Sequence, residues 1–277
     1  MAVSPTESPA ASDTAAPAVP EPGSYDFAAW VEGLNRYLRL RTIPIGMKRF
    51  KTRAEMEAIP RIRRPRQKHA LDQIVAQSRQ LGWTIGITFA DLVGQQCGAP
   101  VGLAPRDAEW LSGKRMHNVW FGAREDSAAH QAAMDCAPHG EYEALVVSPL
   151  TAGRIERPEV CLIYGTPAQM ILFINGLQWR GYRKYGFTCV GESACADSWG
   201  RALKTGEPSL SIPCYAERRF GGVAEDELLM AIPPRYLPKV VEGLAELDKR
   251  GLRYPIPPWG IQADPSASLA VSYSNKS

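Results

Sequence analysis

Two runs, Tyr142 to Pro149 and Val160 to Tyr164, constrain the fold most. Both are short, apolar and rich in β-branched residues, which is the composition of buried strands. The second passes through Gly165-Thr166-Pro167 into Pro167 to Trp179, an apolar segment of helical length. Thr166 suits an N-cap and Pro167 the first helical position, because proline has no N–H to leave unsatisfied there. Strands buried this thoroughly need helices packed against them.

The rest of the chain supplies such helices. Tyr25 to Leu40 carries Phe27, Trp30, Val31, Leu34 and Leu38 at helical spacing. Gln67 to Leu81 presents Leu71, Ile74, Val75 and Leu81. Asp126 to Cys136 and Ala194 to Lys204 read as further helices, and Asp107 to Ser112 as a helical turn. Tyr236 to Lys249 closes the set with Leu237, Val240, Val241, Leu244 and Leu247 inward. Further strands fall at Trp83 to Phe89, Phe187 to Val190, Ser209 to Pro213 and Glu227 to Ile232. Ile43 to Met47 reads as an edge strand, because Pro44 cannot donate to a ladder. The irregular alternation predicts an α/β or α+β class, as a single mixed-sheet domain with flanking helices. No G-x-G-x-x-G or Walker loop follows a strand, which argues against a doubly wound nucleotide fold.

The predicted organisation is a disordered Ala/Pro/Ser-rich tail over residues 1–22, the domain over 23–250, and an irregular tail over 251–277. No apolar run approaches the roughly 20 residues of a membrane helix, and the N-terminus lacks the basic and apolar regions of a secretory signal. The expectation is a cytoplasmic protein with reduced cysteines and no membrane partner. The formal charge of +3 is uneven. Arg36 to Lys68 holds twelve Lys or Arg against Glu55 and Glu57, about +10, so the remainder is about −7. Such a block marks either an anionic partner or a solvated face paired with the acidic remainder. Its only aromatics are Tyr37 and Phe50, so nucleic-acid stacking is not indicated.

Function is carried by the cysteines. The chain has six and no C-x-x-C pair, which speaks against a zinc ribbon or a thioredoxin-type site. Cys97 is followed at once by Gly98 and soon by Pro100. Cys195 falls in the first turn of its helix, after Gly191-Glu192-Ser193 with Ser193 as the expected cap. There the helix dipole stabilises a thiolate. Cys214 ends a strand. Cys161, inside a strand, reads as core, and Cys136-Ala137-Pro138-His139 as a helix end and loop.

A set of local patterns accompanies these cysteines: Cys97-Gly98-Ala99 with Gly102-Leu103; Ser148-Pro149-Leu150; Tyr164-Gly165-Thr166-Pro167-Ala168-Gln169; Cys195 with Thr205-Gly206-Glu207-Pro208; Cys214 with Arg218; Asp226-Glu227; and Ile232-Pro233. In this order they resemble the bacterial and archaeal family catalogued as domain of unknown function 169, over about Tyr25 to Leu247. Ala216 stands where the family pattern has glycine. The resemblance singles out Cys97, Cys195 and Cys214, and it implies no activity.

Three thiolates from separate loops are the usual minimum for an iron–sulfur cluster, and thiolate softness suits iron–sulfur rather than magnesium or calcium. The expectation is therefore that Cys97, Cys195 and Cys214 ligate a cluster, four-iron four-sulfur favoured, in a redox or dehydratase-type enzyme. Cys189 would close the site as a fourth ligand. Its strand setting and its absence from the family pattern favour instead an iron left open as a Lewis acid. Arg218 and His117 are the candidate catalytic residues, Arg218 holding a small anionic substrate. Glu192, Asp197 and Glu217 are possible proton carriers, and an electron-donor protein is a possible partner. Two alternatives remain: Cys195 as a low-pKa nucleophile or redox thiol, and a non-enzymatic module that binds an anion or a partner.

Overall fold

Helix α1 (Phe27–Leu38) begins where Asp26 accepts a hydrogen bond from the Ala29 N–H at 3.0 Å. It ends as Arg39 turns into the left-handed region. Its stripe of Phe27, Val31, Leu34 and Leu38 is buried, as the periodicity predicts. This computed structural model describes residues 25–258. The predicted tail over residues 1–22 and most of the one over 251–277 lie outside that range.

The strands are β1 (Ile45–Phe50), β2 (Ile85–Thr88), β3 (Ala144–Pro149), β4 (Val160–Gly165), β5 (Ser209–Ser211) and β6 (Leu228–Ile232). They form one sheet in the order β2-β3-β1-β4-β6-β5, and every pair of named strands is antiparallel. A parallel bridge from Arg63 to Ile85 adds to the outer side of β2. Antiparallel pairing with helices on both faces makes this an α+β domain.

The remaining helices among the described residues are α2 (Arg53–Glu57), α3 (Leu71–Leu81), α4 (Ala108–Leu111), α5 (Arg124–Ala133), α6 (Pro167–Gln178), α7 (Arg201–Thr205), α8 (Tyr215–Gly221) and α9 (Leu237–Lys249). Helix α6 starts as predicted. Thr166 and Gln169 form a capping box with Pro167 in the first turn, an arrangement worth about 1 kcal/mol.

Side-chain alternation divides the sheet. Cys161, Ile163, Met230 and Ile232 face α1, α6 and α9. Ile45, Met47, Leu145, Val147, Leu162, Tyr164, Leu229 and Ala231 face α3 and the segment around Trp199. Cys161 is fully buried core, as expected. On the first face α6 and α9 cross closely at glycines: a Cβ on Gly243 would lie 2.1 Å from the Gly176 carbonyl oxygen.

Several expectations are corrected. Strand β1 is central, lying between β3 and β4, not at an edge. Pro44 precedes the strand, so its missing donor interrupts no ladder, and its carbonyl accepts from Leu150 N at 3.0 Å. Phe187 to Val190 forms no strand. Leu81 is 55 % exposed because α3 ends there, beyond its buried stripe. In the basic segment four of the twelve cations pair with acids, as the solvated-face reading expects. Arg41 meets Asp226, Arg49 meets Glu159, Arg53 meets Glu57, and Arg64 meets Glu57 and Asp91. The Arg63 guanidinium lies 4.3 Å over the Trp83 ring.

Candidate functional site

Cys97, Cys195 and Cys214 line one cavity of about 350 Å³ on the α3 side of the sheet. Cys97 comes from the loop after β2. Cys195 sits in the first turn of a continuous helical run from Ala194 to Thr205. Cys214 is the N-cap of α8. The convergence expected from three turn junctions is therefore what the structure shows. The helix bearing Cys195 makes a π-turn over Ala196–Gly200 before continuing as α7, a deviation frequent at functional sites. Its tight packing has a cause at Gly200, where a Cβ would lie 2.3 Å from the Asp135 carbonyl oxygen.

Two carboxylates complete the interior. Asp72, in the first turn of α3, lies with both oxygens 3.6 Å from Cys97 Sγ and is 2 % exposed. Glu217, in the first turn of α8, accepts from Cys214 N at 3.1 Å and is 1 % exposed. Burial is the main cause that raises Asp72 to about 6, with the hydrogen bond from Cys97 opposing it. Burial, then the charge of Asp72, raises Glu217 to about 8, against the Cys214 N–H, Arg218 and Arg79.

The thiols respond in the same direction. Hydrogen bonding with Cys195, burial and the charge of Asp72 push Cys97 well above its ordinary value. The Cys97 hydrogen bond lowers Cys195, but burial and the charges of Asp72, Cys214 and Glu217 outweigh it and bring Cys195 to about 12. Cys214 reaches about 12 through burial and Glu217. A helix N-terminus alone would lower Cys195; here burial, reinforced by the surrounding anions, wins, the opposite of an activated nucleophile. The interior is a crowd of acidic groups short of positive charge.

Other predicted residues fall elsewhere. Arg218 donates Nε to the Pro213 carbonyl at 3.1 Å and Nη1 to that of Ala224, so its guanidinium ties α8 to its flanking turns and does not line the cavity. Arg219 lines it, with Nη1 2.8 Å from Tyr215 Oη. His117 is half-buried and bridged to Phe121, outside the cavity, while Trp120 is on the rim. Trp120 and Tyr215 rings approach to 5.7 Å at the mouth. Cys189 is exposed and does not line the cavity. Glu192 lines it, and burial raises its carboxyl. Asp197 accepts from Thr188 Oγ1 at 2.9 Å and Val190 N at 3.0 Å, fixing the loop that holds Cys189. Ser193 does not cap through its side chain: its carbonyl accepts from Ala196 N at 2.8 Å. His139 Nδ1 pairs with the Gly102 carbonyl at 3.1 Å. Among the described residues, no group of three or more His, Cys, Asp or Glu side chains is arranged to hold a single metal ion. All six cysteines are free, and no described helix is long and apolar enough to cross a membrane.

Asp72 and Glu217 were absent from the predicted cofactor set. Asp72 shares a helical stripe with Val75 and Arg79, and Cys214-x-x-Glu217 has capping-box spacing; those were the available signals.

Fold and site together define an α+β domain built around a pocket lined by three thiols, Asp72 and Glu192, with Glu217 buried and bonded to the Cys214 N–H. The chain belongs to the family described as uncharacterised ArCR, domain of unknown function 169, which matches residues 33–243. It is similar to the uncharacterized protein MJ0308 of Methanocaldococcus jannaschii, with 24 % identity over 129 residues, covering 46 % of this chain and 55 % of that protein. The chain thus spans about half the length of this curated relative. No solved structure matches it.

Proposed function

We propose that Cys97, Cys195 and Cys214 hold an iron–sulfur cluster, four-iron four-sulfur in kind, with one iron free of a protein ligand, in a redox or dehydratase-type enzyme acting on a small anionic molecule. The carrying observation is the convergence of three thiols from three separate segments on one cavity of about 350 Å³. Softness of the donors suits iron and sulfide. Charge is consistent with it: burial and mutual repulsion hold three thiols, Asp72 and Glu217 above their ordinary values, a setting that bound cationic iron would relieve. A single ion needs its thiolate donors within about 2.3 Å of one point, and no described donor group is arranged so tightly. A cluster spreads its ligands over several atoms and tolerates the wider spacing.

When bound, the cluster supplies an electron or a Lewis-acidic iron. The chain's own residues do the rest. Arg219, exposed at the mouth, offers a fork of donors to a carboxylate or phosphate, the role the sequence reading gave Arg218. Burial brings the Asp72 carboxyl to about 6 and that of Glu217 to about 8, close enough to neutral pH for both to carry protons beside the thiols. Trp120, Tyr215 and Phe220 form an apolar rim that narrows water access and is open to a small electron-donor protein. Reduced thiols of this kind belong in a cytoplasmic setting.

Anaerobic purification with iron, sulfide and zinc analysis tests the reading. It expects about four irons and four sulfides per chain and a broad absorbance that bleaches on reduction. A colourless protein that takes up no iron on anaerobic reconstitution would sink it.

A further inference from the structure

A second cavity of about 350 Å³ shares Ser193 with the first. His130 of α5, Thr188, Val190, Asp197 and Arg201 also line the second cavity. Ser193 Oγ lies 3.1 Å from His130 Nε2, and both residues are buried. Ser193 adopts φ +60, in the left-handed region. A non-glycine residue rarely pays that strain without something gained in return. The strained serine directly precedes the helical run that starts at Ala194. The Ala194 and Cys195 N–H groups open that run and have no carbonyl partner within it. A hydroxyl on a strained turn and a buried histidine within hydrogen-bond reach, both lining one cavity, are the nucleophile and base of a serine acyl-transfer site.

We propose that Ser193 and His130 form a nucleophile–base dyad that hydrolyses an ester or thioester of a short aliphatic acid bound in the second cavity. Ala133, Met134, Val190 and Ala196 give that cavity its apolar wall for the acyl chain. With the ring proton on Nδ1, His130 Nε2 takes the Ser193 proton as Oγ bonds to the carbonyl carbon. The bond to the leaving alcohol or thiol then breaks, and that group takes the proton from His130. Water attacks the Ser193 acyl ester, gives a proton to His130, and releases the acid as Oγ recovers it. Burial lowers the imidazole's affinity for a proton, against the charge of Asp197, which keeps Nε2 free to accept. Ring position is fixed by Phe121, whose centroid lies 5.1 Å from the imidazole.

The proposal stands apart from the cluster reading and is tested on the full chain, purified anaerobically. A fluorophosphonate probe is added and the digest is mapped by mass. One adduct per chain, on Ser193, is expected. Ser193→Ala should abolish it, and His130→Gln should slow it at least ~10-fold, within the range for loss of a general base. A burst of p-nitrophenol from p-nitrophenyl butyrate, equal to one per chain, should accompany it. No adduct on wild-type Ser193 after hours at millimolar probe overturns the proposal whatever the variants do. So does His130→Gln, folded by its melting curve, reacting as fast as wild type.

Discussion

Arg79 Nη1 lies 3.4 Å from Glu227 Oε2 in the interior, with the two side chains only 1 % and 4 % exposed. The guanidinium also donates to Thr42 Oγ1 and to the Gly221 and Gly222 carbonyls, and it covers the Tyr164 ring at 4.2 Å. Glu227 in turn accepts from Ala224 N at 2.9 Å. The pair therefore joins α3 to the turn between α8 and β6, the same two helices that carry Asp72 and Glu217. Glu227→Leu leaves a buried cation without its partner and should cost ~3–5 kcal/mol in urea unfolding. The double variant Arg79→Met/Glu227→Leu should cost less than Glu227→Leu alone. A Glu227→Leu loss under 1 kcal/mol would show that the pair is not isolated from water.

The crossing of α6 and α9 gives a second expectation. Alanine in place of Gly243 gains about 1 kcal/mol of helix propensity, yet its Cβ would meet Gly176 backbone at 2.1 Å. Backbone cannot yield as a flexible side chain does, so the helices must separate. Overpacking of ~1–3 kcal/mol or more should prevail, and Gly243→Ala should lower the melting temperature by several degrees. Gly122→Ala, where nothing lies within 4 Å, is the control and should change little.

The ligand set can be separated from bystander cysteines by iron content. Cys97→Ser, Cys195→Ser and Cys214→Ser should each lose most of the iron under anaerobic conditions. Cys189→Ser and Cys161→Ala should retain it, because one is exposed outside the cavity and the other is core on the opposite face of the sheet. A Cys189 variant that lost its iron as fully as the Cys195 variant would replace the open site with a closed four-cysteine one.

His130 makes stability depend on pH. Burial lowers its folded value below the ordinary one, with Asp197 opposing, while Ser193 and Phe121 face it as uncharged neighbours. A group depressed on folding contributes stability that is present above its unfolded value, about 6.5. That contribution is lost as pH falls through the folded value. Wild type should therefore lose more stability than His130→Gln between pH 7 and pH 5, measured by denaturant midpoint. Parallel losses in the two proteins would remove His130 from the acid response.

Much of this was legible in the sequence because local and tertiary demands agreed. Thr166-Pro167 announced α6, and the Gly- and Pro-flanked cysteines announced their junctions, which the α3 side of the sheet then gathered. What was hidden depended on partners far along the chain. Asp72 looks like a solvated first-turn acid until Cys97 is placed beside it. Arg218 and Arg219 are adjacent, and only the helical turn of α8 decides which faces the cavity. Pro44 suggested an edge because proline lacks a donor, but the ladder begins one residue later. Ser193 read as a cap by residue type, and its positive φ has no signature in sequence.

The sheet order carries a kinetic consequence. Central strand β1 pairs Ile45 with Pro149 and Leu162, so neither neighbour is complete until the chain has been made as far as Pro149. Closing such long loops is entropically unfavourable before the contacts repay it, so folding should be slow for a domain of this helix content. During synthesis the apolar start of β1 waits without a ladder partner, and β6, two strands away, arrives later still. The thiol pocket needs α8, which precedes β6 by only a few residues. Under the proposed cluster reading, loading must wait for Cys214, and a ribosome stalled before that residue would carry an incomplete ligand set.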